Sequence, residues 1–330
     1  MRKIRLNLIL CFLGIVLGAG QGAAAEPLQP LTIRLNWVPN VEFAGILVAK
    51  EQGWYVEAGI ELTITPWAVG IEPIDEVVAG RAQIGVQDGS RIIEASAAKK
   101  PVKAIAAIYQ RTPVCLIGKR GQGIQTLEQL KGKRIGINAP ETELTVKIML
   151  ANQGIPANEV TFVQRGWELQ PLIDDHVDAI VGFMNNEPLL LKEKGIDVSY
   201  IPAFKYGYDF YSGVYFVNET SLREKPALMQ KFLDVTLRGW REAFKDPAAA
   251  AKLIVAQYYP NGSVTQQTES LKVFQMLATV GIGENLLGYM EESFWAKGVD
   301  ILYNYKQIDR KIPAQDVFTL DLLKKTGAAK

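Results

Sequence analysis

Apolar and polar positions alternate over residues 31–35, with Leu31, Ile33 and Leu35 on one face and Thr32 and Arg34 on the other. That period of two predicts a strand. Residues 42–52 change to a helical spacing that stops at Gly53. The same exchange repeats. Strands are predicted at 61–65, 84–86, 102–109 and 114–118, and helices at 73–79 (closed by Gly80) and 91–99 (closed before Pro101). This strand–helix rhythm predicts a largely parallel sheet with helices on both faces.

A polar loop follows, and a second series begins near residue 120. Short helices are expected at 127–130 and 169–173, a longer one at 143–153, and strands at 134–138, 160–163 and 178–181. A further strand spans 211–219. Beyond it the spacing is helical, at 226–244, 247–257, 264–279, 290–297 and 298–305. Two series and a helical tail predict an α/β protein of two lobes. The first lobe comprises residues 26–118 and 213–330 and the second 119–212, with the crossings near 114–119 and 212–218.

The opening residues stand outside this pattern. Arg2, Lys3 and Arg5 precede an apolar run at 6–17, and Ala23, Ala24 and Ala25 offer small residues for cleavage. Residues 1–25 therefore read as a secretory signal peptide rather than an anchor, because the run falls short of the ~20 residues that span a bilayer. Cleavage after Ala25 leaves Cys115 as the one cysteine, so no internal disulfide can form. That suits an exported bacterial protein with a good core. Cys115 sits in an apolar run and reads as a small buried hydrophobe.

Composition narrows the partners. In 330 residues, 36 basic and 35 acidic side chains leave a formal net charge of +1. No basic patch points to nucleic acid. No paired His, Cys pair, acidic calcium loop, dinucleotide-binding glycine motif or phosphate loop occurs, so no metal or cofactor is expected. The sole histidine, His176, lies between acidic residues and reads as a solvated helix end, which leaves no partner for a Ser or Cys nucleophile.

Candidate ligand residues cluster where strands end, the edge at which open α/β sheets bind. Trp37 closes the first strand within Asn36-Trp37-Val38-Pro39-Asn40. It is either interlobe packing or a platform for a planar ring. Asn36 beside it carries one acceptor and two donors. Asp88 follows a short strand and is either a helix cap or a ligand contact. Tyr206, Tyr208 and Tyr211, with Asp209, precede the second crossing and are either cleft wall or hinge packing. Trp67 and Trp167 each follow a strand. Glu141 and Glu143 open a helix, where acids favour the helix dipole and repel an anion.

The stretches "LNWVPNVEFAGILVAKEQGWYVEAGIELTI", "GIEPIDEVVAGRAQIGV" and "NEPLLLKEKGIDV" resemble the thiamine-pyrimidine-precursor binding family, related to periplasmic solute-binding proteins for sulfonates and nitrate. The resemblance runs through the mature chain in order. It implies a two-lobed periplasmic-binding-protein fold of type II, with the ligand in the cleft. It also implies a small heteroaromatic ligand, most simply a thiamine pyrimidine precursor, and a monomer in the periplasm that hands it to the permease of an ABC importer. Other ligands within the class are riboflavin, a purine-like ring or a sulfonate, and a rival role is a sensor acting on a membrane kinase or cyclase. Asn36 and Trp37 match the family's pocket pair, and Glu187 matches a glutamate that pairs with the aminopyrimidine. Fungal relatives are enzymes that use their own histidine and pyridoxal phosphate. The chain lacks their cysteine-rich stretch and has only His176, so it is expected not to be an enzyme. No Lys or Arg falls within the pocket motifs, although Lys205 and Arg111 are near in sequence.

Overall fold

Two five-stranded sheets organise the chain. They are described here from a computed structural model that covers residues 27–122 and 124–326. The expected signal peptide lies outside the described residues. In the first sheet β1 (Gln29–Arg34), β2 (Ile60–Thr65), β3 (Ile84–Gln87) and β4 (Val102–Tyr109) follow the predicted strands closely. Leu31, Ile33 and Leu35 are buried as the alternation requires. The second sheet contains β5 (Val114–Lys119), β6 (Arg134–Ile137), β7 (Thr161–Gln164), β8 (Ala179–Phe183) and β9 (Val198–Pro202). The chain then returns to the first sheet as β10 (Ser212–Asn218). The orders are β2-β1-β3-β10-β4 and β7-β6-β8-β5-β9.

Each sheet is mixed rather than uniformly parallel. β1 runs parallel to β2 and β3, but β10 is antiparallel to both β3 and β4. β6 runs parallel to β7 and β8, and β5 is antiparallel to β8 and β9. The reversed strand in each case is the one that arrives from the other lobe. A strand that enters through the cleft must run opposite to strands that end there. Two boundaries move in consequence. β5, expected in the first lobe, pairs wholly within the second sheet, so the first crossing is the short link 110–113. β9, absent from the sequence reading, fills the far edge beside β5.

The helices Pro226–Lys245, Pro247–Gln257 and Val264–Thr279 fall where the spacing put them. Helix Ala44–Glu51 packs on Pro226–Lys245 at very short range. A Cβ at Gly239 would stand 2.0 Å from the Gly45 carbonyl oxygen, and one at Gly45 would stand 2.1 Å from the Trp240 ring. Glycine at both positions permits this approach. Residues 290–305, expected as two helices, form one, Glu292–Asn304. Gly298 does not break it: it lets the helix lie against Ile93 and Phe210, where a Cβ would meet Ile93 at 2.8 Å. No helix among the described residues is long and apolar enough to cross a membrane.

Candidate functional site

The carboxyl ends of β1, β2 and β3 gather the first set of polar groups. Asn36 follows β1, and its Nδ2 donates to Gln87 Oε1 over a long 3.5 Å. The Gln87 side chain is buried. Its Nε2 donates to Glu72 Oε1 at 2.8 Å, and its Oε1 also accepts the Asp88 backbone N–H at 3.0 Å. Asp88 Oδ1 accepts the Ser212 hydroxyl at 2.5 Å, from the start of β10. Asn36 Oδ1 is buried and has no partner.

Glu42 completes this edge and was not among the sequence candidates. Its backbone carbonyl accepts the Tyr109 hydroxyl at 2.7 Å, while its half-buried carboxyl faces Asp88. Burial, with the Asp88 charge second, pushes the Glu42 carboxyl up to about 8. Burial likewise raises Asp88; the Ser212 hydroxyl and the Arg91 charge oppose the rise, and Glu72 adds to it. Two acids that resist ionisation side by side form a site that favours a donor or a cation over an anion.

Facing them are the carboxyl ends of β6, β7 and β8. Asn138 after β6 and Asn185 after β8 each hold a buried Oδ1 without a partner. Arg165, just after β7, crosses over Gly136, where a Cβ would meet its Cδ at 2.9 Å. Its guanidinium donates to the carbonyls of Gly166 at 2.8 Å and Val181 at 2.9 Å, and its Nε is buried without a partner. Burial lowers its pKa, against the pull of Glu187 and Glu168. A cation therefore does stand at the second edge, which the sequence motifs did not contain.

Three tryptophans close the space between the edges. Trp37 after β1 lies 5.3 Å from Trp67 after β2 and 6.0 Å from Trp167 after β7, centroid to centroid, all tilted rather than stacked. Trp37 and Trp67 are about two-fifths exposed and Trp167 two-thirds, at 37%, 38% and 67%. Large indoles left this open in a cluster are unusual for packing alone. Glu141, at the start of helix Pro140–Ala151, is near enough to Arg91 and Glu94 on the opposite lobe to act on both charges. Arg91 is already held by Glu94 at 2.7 Å and Glu72 at 3.6 Å.

The remaining candidates divide. The Tyr208 ring packs edge-on against Phe210 at 5.0 Å, and burial, with the Asp88 charge second, pushes its hydroxyl up to about 12, while Thr145 and Ser90 oppose the rise. Tyr211 is turned away from the cleft. It is 3% exposed, its hydroxyl accepts the Glu291 N–H at 2.8 Å, and its ring packs on Phe294 and Trp295. Glu187 opens helix Glu187–Glu193 and folds back to accept the Phe183 N–H at 2.7 Å. Burial raises its pKa while that bond and Arg165 lower it. Glu143 pairs with Lys147 on its own helix, and Arg111 with Asp209 at 3.7 Å. His176 is exposed in the turn before β8, and Cys115 is fully buried. Asn138, Arg165, Asn185 and Gln87 were legible by the rule that found Asn36, since each stands at or just after a strand end; Glu42 gave no such signal.

Two mixed sheets whose strand ends confront one another across an aromatic cleft define the two-lobed periplasmic-binding-protein fold. A solved structure titled as a putative sulfonate ABC transporter, periplasmic sulfonate-binding protein, from Methylobacillus flagellatus KT superposes with a TM-score of 0.69 at 14% identity, over 91% of this chain and 94% of that one. The chain belongs to the NMT1/THI5-like family, whose profile matches residues 40–250. It is 25% identical to the riboflavin-binding protein RibY of Chloroflexus aurantiacus over 89% of this chain and 86% of that protein. It is 23% identical to a formylaminopyrimidine-binding protein of Halalkalibacterium halodurans over 89% and 91%. A third relative, at 25% identity over 68% and 72%, is the 4-amino-5-hydroxymethyl-2-methylpyrimidine phosphate synthase of Legionella pneumophila. The family thus includes binding proteins and enzymes.

Proposed function

We propose that this protein is an exported binding protein that captures a small planar heteroaromatic compound bearing N–H donors, of the thiamine-pyrimidine-precursor kind, and delivers it to the permease of an ABC importer. The observation that carries the reading is the set of three part-exposed indoles, Trp37, Trp67 and Trp167, contributed by both lobes beside the unpartnered Asn36 Oδ1 and the Glu42–Asp88 acids. Indoles stack on a flat ring, and acceptors bind its amine and ring N–H. The names of two relatives, which bind riboflavin and a formylaminopyrimidine, agree with a flat heterocycle. Export rests on the basic, apolar and small-residue runs of residues 1–25.

The chain acts by binding rather than catalysis in this reading. Its one histidine, His176, is exposed in the turn before β8. Arg165, with its free Nε, supports a second reading, an acidic ligand such as a sulfonate. A thermal-shift screen separates them. Aminopyrimidines at 100 times their dissociation constant add roughly 2.7 kcal/mol and raise Tm plainly, while taurine, alkanesulfonates and nitrate leave it flat. A shift with a sulfonate and none with any aminopyrimidine overturns the ligand class in favour of the second reading.

A further inference from the structure

The hydrogen bonds around Gln87 orient its amide and bear on the polarity of Asn36. A glutamine amide offers one accepting and one donating end, and its partners decide which way it points. At Gln87 two partners of fixed character agree. The Glu72 carboxylate, 2.8 Å from Nε2, is an acceptor when ionised, and the Asp88 backbone N–H, 3.0 Å from Oε1, is only a donor. Reversing the amide would set a donor against a donor at Asp88 and an acceptor against an acceptor at Glu72. The other Glu72 oxygen, Oε2, lies 3.6 Å from the Arg91 guanidinium, which leaves Oε1 to Gln87. Gln87 is buried, so water is not there to absorb a mismatch.

That orientation passes one step further. Gln87 Oε1 faces Asn36 Nδ2 at a long 3.5 Å, a contact that favours the Asn36 amide with its nitrogen toward Gln87 and its oxygen the other way. Asn36 Oδ1 is the atom left buried and unpartnered, in the residue that precedes Trp37. At the opposite edge of the cleft, Asn185 lacks this constraint. Asn185 Nδ2 meets the Ser270 hydroxyl at 3.4 Å, and a hydroxyl can donate as readily as accept.

We propose that Gln87, held by Glu72 and the Asp88 amide, fixes Asn36 as a hydrogen-bond acceptor, so that the cleft selects a ligand presenting an N–H donor on the edge beside Trp37. A 4-aminopyrimidine offers that donor. A pyrimidine with a 4-oxo group offers an acceptor there and meets acceptor against acceptor. Gln87 is thus a positioning residue for specificity. The inference rests on the heteroaromatic reading of the cleft, and it adds which edge of the ring is read and by what.

The test is calorimetric titration of the full mature protein with 4-amino-2-methylpyrimidine and its 4-oxo counterpart. Wild type is expected to favour the amino compound by about tenfold or more, since a mismatched buried polar pair carries a penalty of that order. In Gln87→Met, of similar size and with no acceptor, Asn36 is free to present either end, and the preference falls below about threefold. The exchanged pair Glu72→Gln with Gln87→Glu keeps the total charge and still offers Asn36 an acceptor, so it restores the preference. Melting curves of each variant identify a misfolded one. If folded Gln87→Met keeps the amino preference, or the folded exchanged pair does not recover it, the proposal falls while the heteroaromatic reading stands. If wild type binds neither compound nor any other aminopyrimidine, that reading falls and takes the proposal with it.

Discussion

The two cleft edges are built from the same elements and finished differently. On the first lobe, Glu72, Gln87, Asn36, Asp88 and Ser212 form one run of hydrogen bonds, and the acids Glu42 and Asp88 sit together. On the second, Asn138 and Asn185 keep unpartnered acceptors, and Arg165 spends most of its donors on backbone carbonyls. A hydrogen-bonded network holds its geometry before a ligand arrives, and preorganisation reduces the cost of binding. On the proposed function, the first lobe is the reading surface and the second the cover.

Removal of one indole from each lobe breaks this comparison most sharply. Trp37→Ala should weaken binding of an aminopyrimidine by on the order of 1–3 kcal/mol, through lost stacking and lost burial. Trp167, two-thirds exposed on the covering lobe, should cost under about 1 kcal/mol when replaced by Ala. Equal losses in a binding titration would mean that the lobes share the ring evenly. No loss at Trp37 would reduce it to packing.

A smaller effect sharpens the electrostatic side. The Glu42 carboxyl rises to about 8 in the folded protein from an ordinary 4.5. A raised carboxyl contributes stability that is complete below the unfolded value and is lost as pH climbs toward the folded one. Ligand-free Tm should therefore fall between pH 5 and pH 8. Asp88 and Glu187 shift in the same direction, so the difference from Glu42→Gln is the readout. After allowance for solvent around a half-buried side chain, that difference is on the order of 1 kcal/mol, or about 2–4 °C. Parallel pH curves for wild type and variant would remove Glu42 from the acid pair.

The sequence carried the elements better than their assembly. Periodicity located β1 to β8, β10 and the long helices, because each buries one regular face. It missed β9, whose alternation in Val198–Pro202 is short, and it could not show that β5 and β10 run against their neighbours, since direction is a property of pairing. The strand-end rule placed Asn36, Trp37, Trp67 and Trp167 on one cleft. The same rule also reached Asn138, Arg165 and Asn185, but nothing in their local sequence marks an atom as unpartnered. Tyr211 failed because a residue next to a crossing strand can face either way, and its neighbours Phe294 and Trp295 lie more than 80 positions along the chain. Gln87 follows the predicted strand 84–86, but its role was not legible, because it is set by Glu72 and Asn36, which are close only after folding.

The central claim, that a flat donor-bearing ring sits among indoles of both lobes, is tested most directly by tryptophan fluorescence during titration with an aminopyrimidine. The account predicts a saturable change at one ligand per chain, reduced in both amplitude and affinity by Trp37→Ala. Calorimetric binding of the same compound at one per chain, with tryptophan emission unmoved and equal affinity in the Trp37→Ala variant, would contradict it.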